Sequence, residues 1–146
     1  MKRIASFVAI TAAMFFSFNA FAGSKVIRYE DLPKESKACM RTYFAEYDFL
    51  SAKQNGAVYE ARFTEGSLLT FDKKGNLVAV NMESCAMPAE IVAKLPAGIQ
   101  TYLADNYAGH GVEAFSSDKK GNYTVEVRCL HGNETVVLTP DGKPVE

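Results

Sequence analysis

The chain has no tryptophan and only two histidines, His110 and His131. It has no run of more than two basic residues. A protein that neutralises phosphates needs a positive stripe, so nucleic-acid binding is excluded as the main activity. Neither histidine lies in a nucleophile motif. No residue pattern fixes a nucleophile, an acid–base pair and an oxyanion donor together. The carboxylate spacing of a calcium loop is also missing, and no cofactor is expected.

The one long apolar run lies at the start. Lys2 and Arg3 precede an apolar stretch from Ile4 to Phe18, and Ala20-Phe21-Ala22 follows with small residues. The stretch is short for a bilayer span and has the order of a secretory signal, with cleavage expected between Ala22 and Gly23. The product is expected to be periplasmic or secreted and not anchored in the membrane. Removing 22 of the 146 residues leaves 124, enough for one compact unit. Loss of Lys2 and Arg3 leaves 14 basic residues against 17 acidic ones, a net charge of −3.

Three cysteines remain, Cys39, Cys85 and Cys129. In an oxidising compartment an odd count suggests one disulfide and one spare thiol. Cys85 follows the last strand of the first half and Cys129 lies near the end of a second-half strand. Antiparallel alternation brings both to one end of a sheet, so a Cys85–Cys129 bridge is expected.

The rest of the chain reads as a unit used twice. Met40, Tyr43, Phe44 and Tyr47 follow the i, i+3, i+4, i+7 rule of an amphipathic helix after Leu32-Pro33. The segments "FLSAK", "AVYEARF", "SLLTFD" and "NLVAVNM" then read as strands divided by turns. Pro88 to Lys94 and Leu95-Pro96 to about Tyr107 read as helices, followed by the strands "VEAFSSD", "NYTVEVRCL" and "ETVVLT". An offset of 63 aligns Leu32-Pro33 with Leu95-Pro96. An offset of 66 aligns Glu60 with Glu126 and Arg62 with Arg128, and one of 67 aligns Gly75 with Gly142. The boundaries are residues 1–22 for the signal and 23–146 for the domain, with unit one at about 26–84 and unit two at about 88–146. The fold class is α+β: two tandem helix-plus-antiparallel-meander units, with the helices on one face of the sheet.

The pentapeptide Asp-Lys-Lys-Gly-Asn occurs at Asp72–Asn76 and again at Asp118–Asn122. The copies are 46 residues apart, which is not the repeat spacing. They are read as two tight turns, with Asp capping local N–H groups and Gly taking positive φ, and not as duplicated ligand sites.

Strand alternation separates two faces. Tyr59, Ala61, Phe63, Leu69 and Phe71 should lie beneath the helix of unit one. Val125, Val127, Cys129, Val136 and Leu138 should lie beneath the helices of unit two. The other face mixes charge with apolar groups. Its candidate protein-binding residues are Glu60, Arg62, Leu68, Glu126, Arg128 and Leu130. Arg suits interfaces because its planar fork stacks and bonds bidentately. A solvated face with ordinary cross-strand ion pairs is the plainer reading of the same residues.

The phrase Tyr59-x3-Phe63-x2-Gly66-x2-Leu69-x-Phe71-Asp72-x2-Gly75-x-Leu77, behind Leu32-Pro33 and a helix, resembles the PepSY-like secreted bacterial proteins. That family is also described as β-lactamase-inhibitor-protein-like (BLIP-like). The resemblance implies two helix-plus-meander units, no enzymatic activity and a sheet face left open. It implies an inhibitor-like protein that binds a protein or peptide of the cell envelope. The alternatives are a small secreted enzyme, with His110, Asp105 and Glu113 as the nearest candidates, and a small-ligand carrier of α+β fold.

Overall fold

A computed structural model of the chain describes residues 24–83 and 85–145. The signal stretch and its cleavage point lie outside the described residues. Eight antiparallel strands stand side by side in chain order in one sheet. They are β1 (Lys25–Ile27), β2 (Phe49–Asn55), β3 (Val58–Phe63), β4 (Leu68–Phe71), β5 (Leu77–Asn81), β6 (Val112–Ser117), β7 (Tyr123–Val127) and β8 (Glu134–Leu138). A 3-10 turn, Tyr29–Asp31, and helix α1 (Lys34–Tyr43) separate β1 from β2. Helices α2 (Ala89–Val92) and α3 (Ala97–Asn106) separate β5 from β6. This is the expected α+β fold, with β1 as an addition that alternation did not mark. Such a strand of three residues is too short to show a period of two.

All three helices start in the same way. Pro33, Pro88 and Pro96 stand at the N-cap positions of α1, α2 and α3, with φ of −56°, −55° and −53°. The ring fixes φ and no N–H is lost from the helix ladder. The residue before each proline, Leu32, Met87 or Leu95, is buried. Each Leu-Pro or Met-Pro pair thus anchors the chain in the core and then starts a helix. Helix α1 ends at Tyr43, earlier than periodicity suggested, and Phe44 caps it by donating to Met40 O at 3.0 Å. Tyr47 still packs against Phe44, ring centroids 5.8 Å apart.

One apolar cluster joins the helices to one side of the sheet. Met40, Phe44, Ile91, Ile99 and Leu103 meet Ala61, Phe63, Leu69, Phe71, Val125, Val127 and Leu138. The expected face is therefore the packed one, and Tyr59, Cys129 and Val136 border it. Leu68, Ala79 and Ala114 are buried but stand outside this cluster, because they point to the other side.

Both Asp-Lys-Lys-Gly-Asn copies are turns. Asp72 Oδ1 accepts from the N–H groups of Lys74 and Asn76, each at 2.9 Å. Asp118 Oδ1 accepts from Lys120 and Asn122, also at 2.9 Å. Gly75 and Gly121 have φ of +91° and +90°. The first copy joins β4 to β5 and the second joins β6 to β7.

Strand register corrects the repeat alignment. Tyr59 stands opposite Phe71 and Tyr123 opposite Leu138, so Tyr59 corresponds to Tyr123, an offset of 64. Glu60 then corresponds to Thr124 and Arg62 to Glu126. The Glu-x-Arg recurrence at 66 is a likeness of sequence and not of position. The link from β7 to β8 takes up the extra length, because beyond it Phe71 corresponds to Leu138 at 67. Loops absorb such insertions because slipping a buried strand by one residue would turn its apolar set outward.

Candidate functional site

The sheet face away from the helices is ordered by pairing across strands. One row runs Lys53, Glu60, Thr70, Ala79, Ser116, Thr124, Val137. The next runs Ser51, Arg62, Leu68, Asn81, Ala114, Glu126, Thr135. Glu60, Arg62, Leu68 and Glu126 are thus brought onto one face, as expected. The middle of both rows is small and recessed: Thr70, Ala79, Ala114, Ser116 and Thr124 are all buried. Charge and bulk lie toward the margins.

Glu60 is 5% exposed, and its Oε2 has no hydrogen-bond partner among the described residues. Burial raises its pKa, against the opposing pull of Lys53 and Arg62. A buried carboxylate oxygen without a donor is costly, and such groups mark places where something else can bind.

At the other margin a bulge in β6 changes the face. The β6–β7 register shifts between Val112 and Ala114, which leaves Glu113 as the extra residue. Its carboxylate accepts from Arg128 Nη1 at 3.0 Å and from Asn133 Nδ2 at 2.8 Å. Asn133 Nδ2 also lies 3.1 Å from Glu126 Oε2. One amide group therefore serves two carboxylates. Sequence reading missed Asn133 and gave Glu113 only a catalytic role. An equivalent shift between Phe49 and Ser51 in β2 makes Leu50 the extra residue there. Arg128 is consequently a holder of Glu113, whose side chain is only 7% exposed. Leu130 is not on a strand of this face. It stands in the β7–β8 turn, 86% exposed.

The catalytic alternative finds no constellation among the described residues. His110 Nδ1 lies 3.1 Å from the Arg128 carbonyl, while Glu113 is engaged by Arg128 and Asn133. His110 occupies the repeat position of Tyr47, at the offset of 63. Its N–H donates to Tyr107 O at 3.0 Å and its ring meets Tyr107 edge-on at 6.5 Å. Tyr47 makes the same pair of contacts with Phe44. The histidine thus takes the same local place after its helix as Tyr47 does, and stands exposed there.

The expected Cys85–Cys129 bridge is absent: Cys39, Cys85 and Cys129 are free thiols. Both Cys85 and Cys129 do stand at one end of the sheet. Cys85 has Tyr47 as a neighbour there, and Cys129 has Glu134. Burial pushes the Cys39 thiol up despite Lys94, and burial with the Glu134 charge pushes Cys129 up. Thiols so shifted are poor nucleophiles.

A groove of about 390 Å³ runs along α1 past Cys39, Tyr43, Leu77 and Lys94. Lys94 Nζ sits 5.0 Å from the Tyr43 ring centroid. The space between helices and sheet is filled by Phe44, Phe63, Phe71 and Leu69, which leaves little room there for a carried ligand.

Solved structures share this architecture. A DUF2874-family protein from Bacteroides vulgatus, described as a candidate periplasmic protein, is 27% identical with a TM-score of 0.74. The match covers 86% of this chain and 96% of that one. A protein of Bacteroides thetaiotaomicron, described as a candidate calcium-regulated periplasmic protein, is 25% identical with a TM-score of 0.71 over 84% and 94% of the two chains. A second Bacteroides vulgatus protein, of unknown function, matches at 21% identity and a TM-score of 0.70 over 85% and 98%. A BLIP-like protein of Bacteroides fragilis also matches, at 16% identity and a TM-score of 0.32, too distant to carry an argument. No family profile and no curated protein matches the chain. Among the described residues no helix is long and apolar enough to cross a membrane, and no group of His, Cys, Asp and Glu could hold a metal ion.

Proposed function

We propose that the chain is a periplasmic binding protein without catalytic activity, and that it takes a protein or peptide on the open face of its sheet. The observation that carries this reading is Glu60, a buried carboxylate with an oxygen that no group among the described residues satisfies, on a face that the helices leave free. Arg62 beside it and the recessed small residues beyond it supply a polar anchor and a low floor. A periplasmic location is supported by the leader and by the descriptions of the similar proteins. Among the described residues His110 lies against the Arg128 carbonyl and Glu113 is held by Arg128 and Asn133, which supports a binding role over an enzymatic one.

The test is site-resolved photo-crosslinking in growing cells. A photoreactive residue at position 62 or 68 reports on the open face, and one at 38 or 90 reports on the helix side. Adducts to another protein are expected from 62 and 68 only. Adducts confined to 38 and 90 would move the site to the helices. Arg128 is unsuited to this purpose, because removing it strands the buried Glu113 carboxylate and disturbs the fold.

A further inference from the structure

Charge is sorted along the strands. Lys73, Lys74, Lys119, Lys120 and Lys143 all stand in the turns at one end of the sheet. At the opposite end lie the β3–β4 and β7–β8 turns, the β5–α2 link and the two bulges. Asp48, Glu65 and Glu83 stand there, joined by Glu113 and Glu126 of the open face. These five carboxylates face only Arg62 and Arg128 at that end, and Arg128 is already held by Glu113. Two large apolar side chains are exposed at the same end, Leu50 at 56% and Leu130 at 86%.

We propose that the partner on this face is a protein segment bearing arginine or lysine side chains around an apolar residue, seated at the acidic end and reaching Glu60. This deepens the binding reading above and rests on it. Three features converge on this chemistry. Glu60 Oε2 lacks a donor among the described residues, and a cationic N–H donor satisfies both its lone pair and its charge. Glu126 shares the amide of Asn133 with Glu113, which Arg128 also holds, so a further donor would relieve Glu126. The exposed leucines supply contact area at the margin, where apolar anchors surrounded by charge suit an interface. The lysine turns at the far end turn an incoming basic segment toward the acidic end as it approaches.

Two fluorescent peptides of equal length test this, one alternating arginine with leucine and the other alternating glutamate with leucine. Binding to the purified protein is read by fluorescence anisotropy. The arginine peptide should bind, and its affinity should fall as salt rises. Glu60→Gln and Glu126→Gln should each weaken it by about tenfold. Glu60→Gln removes a poorly satisfied charge, so a loss of binding there is not a loss of fold; urea melting of the variant verifies it. Equal or tighter binding of the glutamate peptide overturns the proposal, as does unchanged affinity in both variants. Crosslinks from positions 62 and 68 to an acidic partner surface would overturn it while leaving the binding reading intact. Crosslinks from the helix side alone would overturn both.

Discussion

At the scale of single residues the decisive group is Glu60. Its pKa is raised, first by burial, with Lys53 and Arg62 opposing. A carboxyl whose folded pKa lies above its unfolded value binds more protons in the native state across the interval between the two. Stability therefore falls as pH rises through that interval, and the penalty is complete above the folded value. Glu60→Gln removes the charge, so the variant should be more stable than the native protein at neutral pH, by about 1 kcal/mol. The gain should vanish below the ordinary carboxylate range, where Glu60 is protonated in both states. Urea midpoints of the two proteins at both pH values measure this. A gain that does not change with pH would mean that the charge is not the cause. Sequence alternation put Glu60 and Glu126 on the correct face but made them look alike. Whether a carboxylate has a donor depends on how the turns and strands bring partners together: Asn133 reaches Glu126, and no donor among the described residues reaches Glu60 Oε2.

At the scale of elements, one pentapeptide makes the same turn twice and carries different weight each time. The Asp caps and the positive φ were legible because they are local chemistry. What each turn packs against was not. A Cβ on Gly75 would come within 2.9 Å of Pro33 Cβ and 3.1 Å of Ser36 N, at the start of α1. Ser36 Oγ also donates to Gly75 O at 3.3 Å, which ties the turn to the helix. A Cβ on Gly121 would find nothing nearer than Pro140 Cγ at 3.8 Å. Gly142, in the repeat position of Gly75, approaches α3 more closely still, its Cβ site lying 2.1 Å from Gly98 O. Alanine at any of these costs about 1–2 kcal/mol for the left-handed backbone alone. Gly121→Ala should stop near that figure. Gly75→Ala should cost more, and Gly142→Ala the most, because a backbone oxygen cannot move aside as a side chain can. Urea denaturation of the three variants ranks them, and equal losses would show that the turns are not pressed onto the helices. The same helix-and-turn contact in both units explains why Leu-Pro and the late glycine recur in both. The offset grows from 64 to 67 at the β7–β8 link, so counting along the sequence matched Arg62 with Arg128 where the register matches it with Glu126.

At the scale of the whole molecule, the two units are one body. β5 of the first pairs with β6 of the second through Ala79–Ser116, Val80–Phe115 and Asn81–Ala114. Residues of both units, Phe63 and Phe71 with Val125 and Leu138, belong to a single apolar cluster under all three helices. Neither unit could expose its half of that seam cheaply. Separating them would strip partners from fully buried side chains such as Val80 and Val125 and unpair a central strand. Unfolding should therefore be one transition despite the duplication. Phe71→Ala, a cavity in unit one, is expected to cost about 3–5 kcal/mol. It should lower protection by the same free energy in β3 and in β7, although β7 belongs to the other unit. Hydrogen exchange followed by mass spectrometry measures both strands in one experiment. Loss of protection confined to β3 and β4, with β7 and β8 unchanged, would show that the repeats are separate folding units that share only a sheet edge.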